Sequence, residues 1–217
     1  MPVTAQPFDA NVPAWKEGQN APWGRLRYNL TRANLSRHLP DRPLRILDAG
    51  GGNGLEAIEY AQQGHAVTLV DFSDGMLAEA HRVAEAQGVA DRITFHRAEL
   101  TSIPALFPEP GFDLALCHNV VQYVDDAAAL LRAVCHPLKV DGLLSLIGIN
   151  RYSELYRLAL MRLDLAGALI SLDATTAPTL TFGVPMRLYT IEELREPLHS
   201  AGCAVVGQYG TLSEITA

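Results

Sequence analysis

One segment of the chain constrains its fold more than any other: a glycine cluster between an apolar stretch and a helical stretch. Residues 46–54 read Ile-Leu-Asp-Ala-Gly-Gly-Gly-Asn-Gly, so four of the last five positions are glycine. Glycine adopts the positive φ angles of a tight turn and lets a ligand approach the backbone. The helix predicted over 55–63 would offer the free N–H groups of its first turn to that ligand. The order of strand, glycine turn and helix predicts the start of a βαβ unit.

Apolar stretches alternate with helical patterns along the rest of the chain. The predicted strands cover residues 44–48, 66–70, 92–96, 112–117, 143–149 and 203–208, and the predicted helices cover residues 22–39, 55–63, 74–87, 125–135 and 153–170. Unbroken apolar strands separated by helices are typical of a parallel sheet that is covered on both faces. The sequence therefore predicts an α/β fold with a doubly wound, Rossmann-like, mostly parallel sheet.

The chain is predicted to divide into a short N-terminal part and one domain. Residues 1–43 are interpreted as a polar lead-in followed by a cap helix, and residues 44–217 as a single domain. A Thr/Pro/Gly-rich stretch over 171–187 is predicted to be a long loop, and Thr190 with Glu193 forms a capping box that opens a last helix. Since only nine residues follow the last predicted strand, we expect the final strand of the sheet to be shortened or missing.

Charge and cysteine content exclude several classes of protein. The 217 residues carry a net charge of −7, yet residues 1–45 hold seven basic and three acidic side chains. This basic end either steers an anionic substrate or forms a solvated helix face, and the rest of the chain is too acidic for a general nucleic-acid binder. Three widely spaced cysteines fit neither a disulfide framework nor a zinc site, and no 18-residue stretch lacks charges. We therefore expect a cytoplasmic protein without a membrane span or a metal.

The glycine cluster is compatible with two classes of cofactor. Gly52, Gly54 and Ala57 satisfy the weaker form of the dinucleotide pattern G-x-G-x-x-G/A. Asp48 and the alternate glycines instead match a D/E-x-G-x-G-x-G loop at every position. The second predicted strand leads into Asp71, 17 residues after Gly54, where a carboxylate can accept hydrogen bonds from both hydroxyls of a ribose. A tight turn without a ligand is the alternative to both.

These motifs together resemble the class I S-adenosylmethionine-dependent methyltransferases, and the resemblance to that fold covers residues 44–150. The nearest family is that of the bacterial enzymes that methylate the carboxylate of 5-carboxymethoxyuridine in tRNA. The segments similar to this family are residues 24–27, 47–54, 64–73, 116–124 and 143–150. The turn at 138–142 departs from the usual Leu-Lys-Pro-Gly-Gly, and residues 171–187 lack the lysines expected of a tRNA enzyme.

The resemblance implies S-adenosylmethionine as cofactor, with S-adenosylhomocysteine as product. Asp48 would orient the loop or receive the α-ammonium, Asp71 would bind the ribose, and Phe72 and Glu99 would lie at the adenine. Arg27 would reach the cofactor carboxylate, with a solvated arginine as the alternative. The implied cofactor-binding residues are Arg27, Asp48, Gly50, Gly51, Gly52, Gly54, Asp71, Phe72, Ala98, Glu99 and His118.

The substrate side is less well defined. Its candidate residues are Tyr28, Tyr123, Arg151, Tyr152, Arg187 and Tyr189. No residue is assigned as a catalytic base, although His118 is a candidate, and an acceptor that is ionised at neutral pH, such as a carboxylate, needs none. The acidic chain favours a small-molecule acceptor over tRNA, and a homodimer stays open. Two other functions also stay open: an NAD(P)-dependent oxidoreductase built on the same βαβ unit, and a non-catalytic module that binds S-adenosylmethionine.

Overall fold

A computed structural model describes residues 3–179 and 181–210 of the chain. Its main sheet contains the strands β1 (Arg45–Ala49), β2 (Ala66–Asp71), β3 (Ile93–Arg97), β4 (Phe112–His118) and β5 (Leu138–Ile147). The strand order is β3-β2-β1-β4-β5, and every neighbouring pair is parallel. The order reverses between β1 and β4, which is where open α/β sheets bind ligands at their carboxyl ends. This architecture confirms the predicted fold class.

Helices cover both faces of the sheet. The helices of the described residues are α1 (Gln6–Ala10), α2 (Val12–Asn20), α3 (Pro22–Leu35), α4 (Leu55–Gln62), α5 (Asp74–Ala86), α6 (Ile103–Leu106), α7 (Ala127–Cys135), α8 (Tyr152–Tyr156), α9 (Leu165–Ser171) and α10 (Ile191–Ser200). One apolar core packs α3, α4 and α5 against the sheet, and a second core packs α6, α7 and α10 against the sheet. Strands buried on both sides explain why their sequences read as unbroken apolar stretches.

The N-terminal residues are more ordered than a loose lead-in, and that expectation was wrong. Pro7 and Pro13 stand in the first turns of α1 and α2, where the missing proline N–H costs no helical hydrogen bond. Phe8 is buried and packs with Met76 and Phe182. The polar composition therefore concealed two short helices that are held in place by tertiary packing.

The prediction of one long helix over 153–170 is also wrong, because the segment consists of α8, a π-helical turn and α9. A π-helical turn, Arg157–Met161, follows α8, and Leu163 adopts a positive φ of 52°. The Asp164 side chain then accepts a hydrogen bond from the Gly167 N–H at 2.8 Å and starts α9 as a new helix. An apolar stripe at helical spacing does not reveal such an internal cap.

Two further expectations fail in the C-terminal part. The stretch predicted as a loop, residues 171–187, contains an antiparallel hairpin of β6 (Thr176–Pro178) and β7 (Pro185–Arg187). Residues 203–208 form no strand. The segment leaves α10 with the Sγ atoms of Cys203 and Cys135 at 3.3 Å and reaches His38 through the Tyr209 hydroxyl at 2.7 Å. The sheet of the described residues therefore ends at β5, and the expected short last strand over 211–217 lies outside them.

Candidate functional site

The glycine loop between β1 and α4 passes over the carboxyl end of the sheet. Gly50, Gly52 and Gly54 have φ angles of 76°, 53° and 75°, which side chains with a Cβ rarely adopt. A Cβ at Gly50 would also collide with Val120, whereas a Cβ at Gly52 would meet no atom closer than 3.8 Å. The loop therefore forms a turn that needs glycine, and at Gly52 its backbone stays open to an approaching group.

Asp48 lies directly beneath this loop. Its side chain is almost fully buried, and its Oδ2 atom has no hydrogen-bond partner. A Cβ at Gly51 would collide with the carboxyl group, so the loop backbone lies against it. Burial, and next the negative charge of Glu56, raise the pKa of Asp48 to about 8. A buried carboxyl oxygen without a donor provides a place for a cationic or hydrogen-bond-donating group.

Asp71, the last residue of β2, ties the loop to the neighbouring strand. Its Oδ2 accepts a hydrogen bond from the Gly52 N–H at 2.9 Å, and its Oδ1 accepts one from the Ser73 N–H at 2.9 Å. Burial raises the pKa of Asp71, and the backbone donors act against that rise. Ser73 supplies the cap of α5, so Asp71 is not needed for capping. Each carboxylate oxygen can accept a further hydrogen bond.

The residues expected near an adenine are placed unequally. Phe72 is half-buried beside Asp71, with its ring edge-to-face against Phe8 at 5.4 Å. The N–H of Ala98 donates to the carbonyl of Asp71 at 3.0 Å, which brings the end of β3 to the same place. Glu99 is exposed. Phe72 and Ala98 therefore lie next to the ribose candidate, whereas Glu99 lies at the surface.

His118 at the end of β4 is held by two side chains. Its Nδ1 lies 2.8 Å from a Glu56 carboxylate oxygen, and its Nε2 lies 2.8 Å from Ser145 Oγ. Burial lowers the pKa of His118, but the Glu56 carboxylate outweighs that effect, so the pKa is raised. Both ring nitrogens are engaged, which favours a role in joining α4, β4 and β5 over a role as catalytic base.

The α2 and α3 helices close over the glycine loop through a polar network. Gln19 and Asn53 exchange two amide hydrogen bonds of 3.1 and 2.7 Å, and both side chains are buried. The Gln19 amide also donates to the Tyr28 hydroxyl at 2.9 Å. The Arg27 guanidinium lies 4.8 Å from the Tyr28 ring and 3.5 Å from Asn119 Oδ1. Arg27 and Tyr28 are thereby brought to the mouth of the site at the ends of β1 and β4.

An aromatic cluster covers the end of β2. Besides the Phe72 ring, the ring of Phe8 in α1 packs against those of Tyr123 and Phe182, with centroid distances of 5.4 and 4.5 Å. Asp9 Oδ1 accepts hydrogen bonds from the Ser73 hydroxyl at 2.5 Å and the Gly75 N–H at 2.9 Å. The N-terminus of the chain is therefore fastened to the start of α5, and the substrate candidate Tyr123 forms part of this cover.

The other substrate candidates form a second group. Arg187 lies 5.5 Å from the Tyr189 ring, and both line an open cleft of about 560 Å³ beside the first turns of α7 and α10. The Tyr189 hydroxyl is buried without a hydrogen-bond partner, and burial raises its pKa. Arg151 forms an ion pair with Glu193 at 2.5 Å. Tyr152 is exposed.

Several polar residues of the site were not predicted from the sequence. Gln19, Glu56 and Ser145 each contact a predicted site residue, Asn53 lies in the glycine loop and pairs with Gln19, and Asp9 contacts Ser73 beside Asp71. Gln19 meets Asn53 across 34 residues, and Glu56 meets His118 across 62 residues. Only Glu56 had a local signal, since an acid in the first turn after the glycine loop suits a helix N-terminus. Long-range pairing leaves no local pattern for the others.

Two kinds of structure are not found in the part of the chain that is described. No helix there is long and apolar enough to span a membrane. No group of three or more His, Cys, Asp or Glu side chains there is arranged to hold a metal ion.

Comparison with known proteins agrees with this geometry. Residues 46–142 match a family model described as a methyltransferase domain. The tRNA 5-carboxymethoxyuridine methyltransferase of Escherichia coli K12 is 34% identical over 154 residues, which are 70% of this chain and 56% of that protein. The ubiquinone biosynthesis O-methyltransferase of Paramagnetospirillum magneticum is 30% identical over 71% of this chain and 65% of its own length. The chain thus spans little more than half to two thirds of these relatives.

A solved structure supports the same assignment. An S-adenosylmethionine-dependent methyltransferase from Mesorhizobium loti superposes with a TM-score of 0.60 at 26% identity, covering 81% of this chain and 82% of that one. The matched family model begins in β1 and ends in β5, so it contains the glycine loop, Asp71 and His118. Residues 46–142 therefore belong to the methyltransferase-domain family, within the fold of the S-adenosylmethionine-dependent methyltransferases.

Proposed function

We propose that the chain transfers a methyl group from S-adenosylmethionine to a small-molecule acceptor. The observation that carries the proposal is the unpartnered, buried Oδ2 of Asp48 beneath a glycine loop whose next strand ends in Asp71. S-adenosylmethionine carries an α-ammonium and a ribose with two hydroxyls, which match these two carboxyl groups. Residues 44–217 would form the cofactor-binding domain, and residues 1–43 would form a cap over it.

The chain's own residues would bind, orient and shield the reactants. S-adenosylmethionine supplies an activated methyl group when bound, so the protein mainly has to position the reacting atoms. Asp48 would hold the ammonium, Asp71 the ribose hydroxyls and Arg27 the cofactor carboxylate, while Phe72 and Ala98 would border the adenine. The cap that Phe8 and Gln19 fasten to the site would exclude water.

The acceptor is proposed to have a low pKa, with a carboxylate as the simplest case. The candidate base His118 has both ring nitrogens engaged by Glu56 and Ser145. A carboxylate is already ionised at neutral pH and needs no base, whereas an alcohol does. The E. coli relative is named for a carboxymethoxy-bearing uridine of tRNA. That name supports methyl transfer to a carboxylate, although its substrate is a tRNA and the acceptor proposed here is a small molecule.

A nicotinamide-dependent oxidoreductase is the main competing function. It would use the same βαβ unit, with its pyrophosphate at the start of α4. The acid at Asp48, directly before the glycines, and the alanine at position 57, where the dinucleotide pattern prefers glycine, count against it. A non-catalytic module that binds S-adenosylmethionine is the second alternative, and it predicts binding without product.

Isothermal titration with S-adenosylmethionine, S-adenosylhomocysteine and NAD distinguishes these functions. We expect saturable binding of the first two ligands and none of NAD; the reverse result would overturn the proposal. Asp71→Ala should weaken binding of S-adenosylmethionine about tenfold or more, because it removes a charged acceptor worth roughly 1.5–3 kcal/mol.

A matched control and a product assay complete the test. Asp74→Ala removes an acid three residues away whose exposed carboxylate pairs with Arg97, so S-adenosylmethionine affinity should stay unchanged. Incubation with a panel of small carboxylic acids and detection of S-adenosylhomocysteine by mass spectrometry should show acceptor-dependent product. Binding without product from any acceptor would favour the non-catalytic module.

A further inference from the structure

The segment between β5 and the β6–β7 hairpin exposes a large apolar surface, which we call the apolar face. Nine large apolar side chains of residues 152–172 are at least 44% exposed. Six of them are at least 60% exposed, namely Tyr156, Leu160, Leu163, Leu165, Leu169 and Ile170. Single exposed apolar side chains are ordinary, but a contiguous set of this size marks an interaction surface.

Local polar contacts define the shape of the apolar face. Glu154 of α8 and Arg157 of the π-helical turn that follows it form a two-pronged ion pair, with distances of 2.8 and 2.5 Å. Asp164 caps α9, and Ala168 is the buried residue of this helix. Because these polar contacts stay within the segment, its exposed apolar side chains are the groups that a partner would contact.

The charge of the apolar face argues against an anionic partner. Residues 151–173 contain three arginines and three acidic residues, so the segment is neutral. Arg157 is paired with Glu154, and Arg151 is paired with Glu193. Phosphate-rich RNA and anionic lipid surfaces attract clusters of unpaired basic residues. A second copy of this chain presents the same neutral face and meets no repulsion there.

The exposed area is of the size that a stable dimer requires. A large apolar side chain has roughly 150–200 Å² of surface, so nine such residues with these exposures leave on the order of 900 Å² open to water. A specific protein interface buries about 800 Å² on each partner. Covering this area with the same area of a second copy would give an interface of standard size.

We propose that two copies of the chain associate through the apolar face, with α8 and α9 of one copy against α9 and α8 of the other. Such a contact is isologous: each copy contributes the same residues, and the twofold axis closes the assembly as a dimer. The apolar face contains neither the glycine loop nor Asp48 and Asp71, so the proposal is independent of the proposed function.

Sedimentation equilibrium over a range of micromolar concentrations tests the dimer. The wild-type chain should sediment at twice its monomer mass of 23.6 kDa. The double variant Leu165→Glu/Leu169→Glu should sediment as a monomer, because four carboxylates would then meet in an apolar interface. The control Val140→Glu changes a side chain that is 91% exposed at the start of β5, and it should remain dimeric.

Three outcomes would overturn the proposal. The wild type stays monomeric at the highest concentration, or the double variant remains dimeric, or the wild type is a monomer that floats with neutral phosphatidylcholine vesicles. Circular dichroism and titration with S-adenosylmethionine accompany every sample. A folded double variant that is monomeric and binds S-adenosylmethionine as the wild type does would support the dimer independently of the catalytic proposal. A wild type that does not bind S-adenosylmethionine would count against the catalytic proposal alone.

Discussion

At the scale of single residues, Asp48 makes stability depend on pH. Its carboxyl group has a usual pKa of 3.8 when exposed and about 8 in the folded chain. Between about pH 4 and pH 8 the folded state therefore holds a proton that the unfolded state has lost. The contribution of Asp48 to the free energy of unfolding should therefore fall as pH rises through this window, by up to about 1.4 kcal/mol per pH unit.

Asp48→Asn tests this dependence, since the amide does not titrate. Urea unfolding of the wild type and the variant at several pH values should show a flatter pH profile for the variant between about pH 4 and pH 8. The stability difference between the two proteins should grow in favour of the variant as pH rises. Parallel profiles would show that Asp48 is ionised in the folded chain.

Residue-scale patterns predicted the loop but not the network that supports it. Glycines that need positive φ and an acid at the end of the next strand are fixed by local backbone geometry, so Gly50, Gly54 and Asp71 could be found from spacing. The partner of Asn53 could not, because Gln19 lies 34 residues away in a helix that the polar sequence concealed. The same applies to the Glu56 contact that engages His118.

At the scale of elements, α2 is expected to hold the glycine loop in place through Gln19. Gln19→Ala would leave the buried amide of Asn53 without either of its two hydrogen bonds from α2. An unsatisfied buried polar group costs about 1–3 kcal/mol. We expect urea unfolding to show a loss of that size and S-adenosylmethionine titration to show weaker binding.

Gln62→Ala is the matched control for this prediction. The Gln62 amide also bonds to another glutamine amide, that of Gln87 at 3.3 Å, but this pair is exposed. Water can replace the lost bond there, so both stability and ligand affinity should stay within about 0.5 kcal/mol of the wild type. Equal effects of the two variants would contradict a special role for α2.

The success of element prediction followed the burial of each element. Four sheet strands and the helices α4, α5 and α7 were found within a few residues, because their apolar patterns reflect burial against the sheet. The fifth strand begins at Leu138, five residues before its predicted start, so residues 138–142 belong to β5 and the turn predicted there was wrong. The segment 152–172 has an equally regular apolar pattern, yet its side chains face water. Periodicity shows that a face is apolar, and only the fold shows whether that face is covered.

At the scale of the whole molecule, the basic N-terminal end is partly neutralised by acidic residues of the remainder. Lys16 pairs with Glu79 at 2.5 Å, Arg32 with Glu59 at 2.7 Å, and Arg42 with Asp113 at 3.0 Å. Ion pairs with acidic residues elsewhere in the fold therefore compensate part of the positive charge of residues 1–45. The sequence had left two roles open for this basic end, steering of an anionic substrate or a solvated helix face. For these three side chains the structure shows intramolecular ion pairs instead.

This distribution of charge predicts weak binding to tRNA. Affinity for phosphate backbones depends on unpaired basic side chains and falls steeply with salt, and the chain carries a net charge of −7. Filter binding with bulk tRNA at physiological salt should give a dissociation constant no tighter than about 1 µM, the limit typical of non-specific binding. Lowering the salt should change it little, because few counterions are released. A submicromolar constant with a steep salt slope would instead favour tRNA as the acceptor, and Arg25→Ala, which removes an exposed arginine of α3, would then reduce that slope by about one.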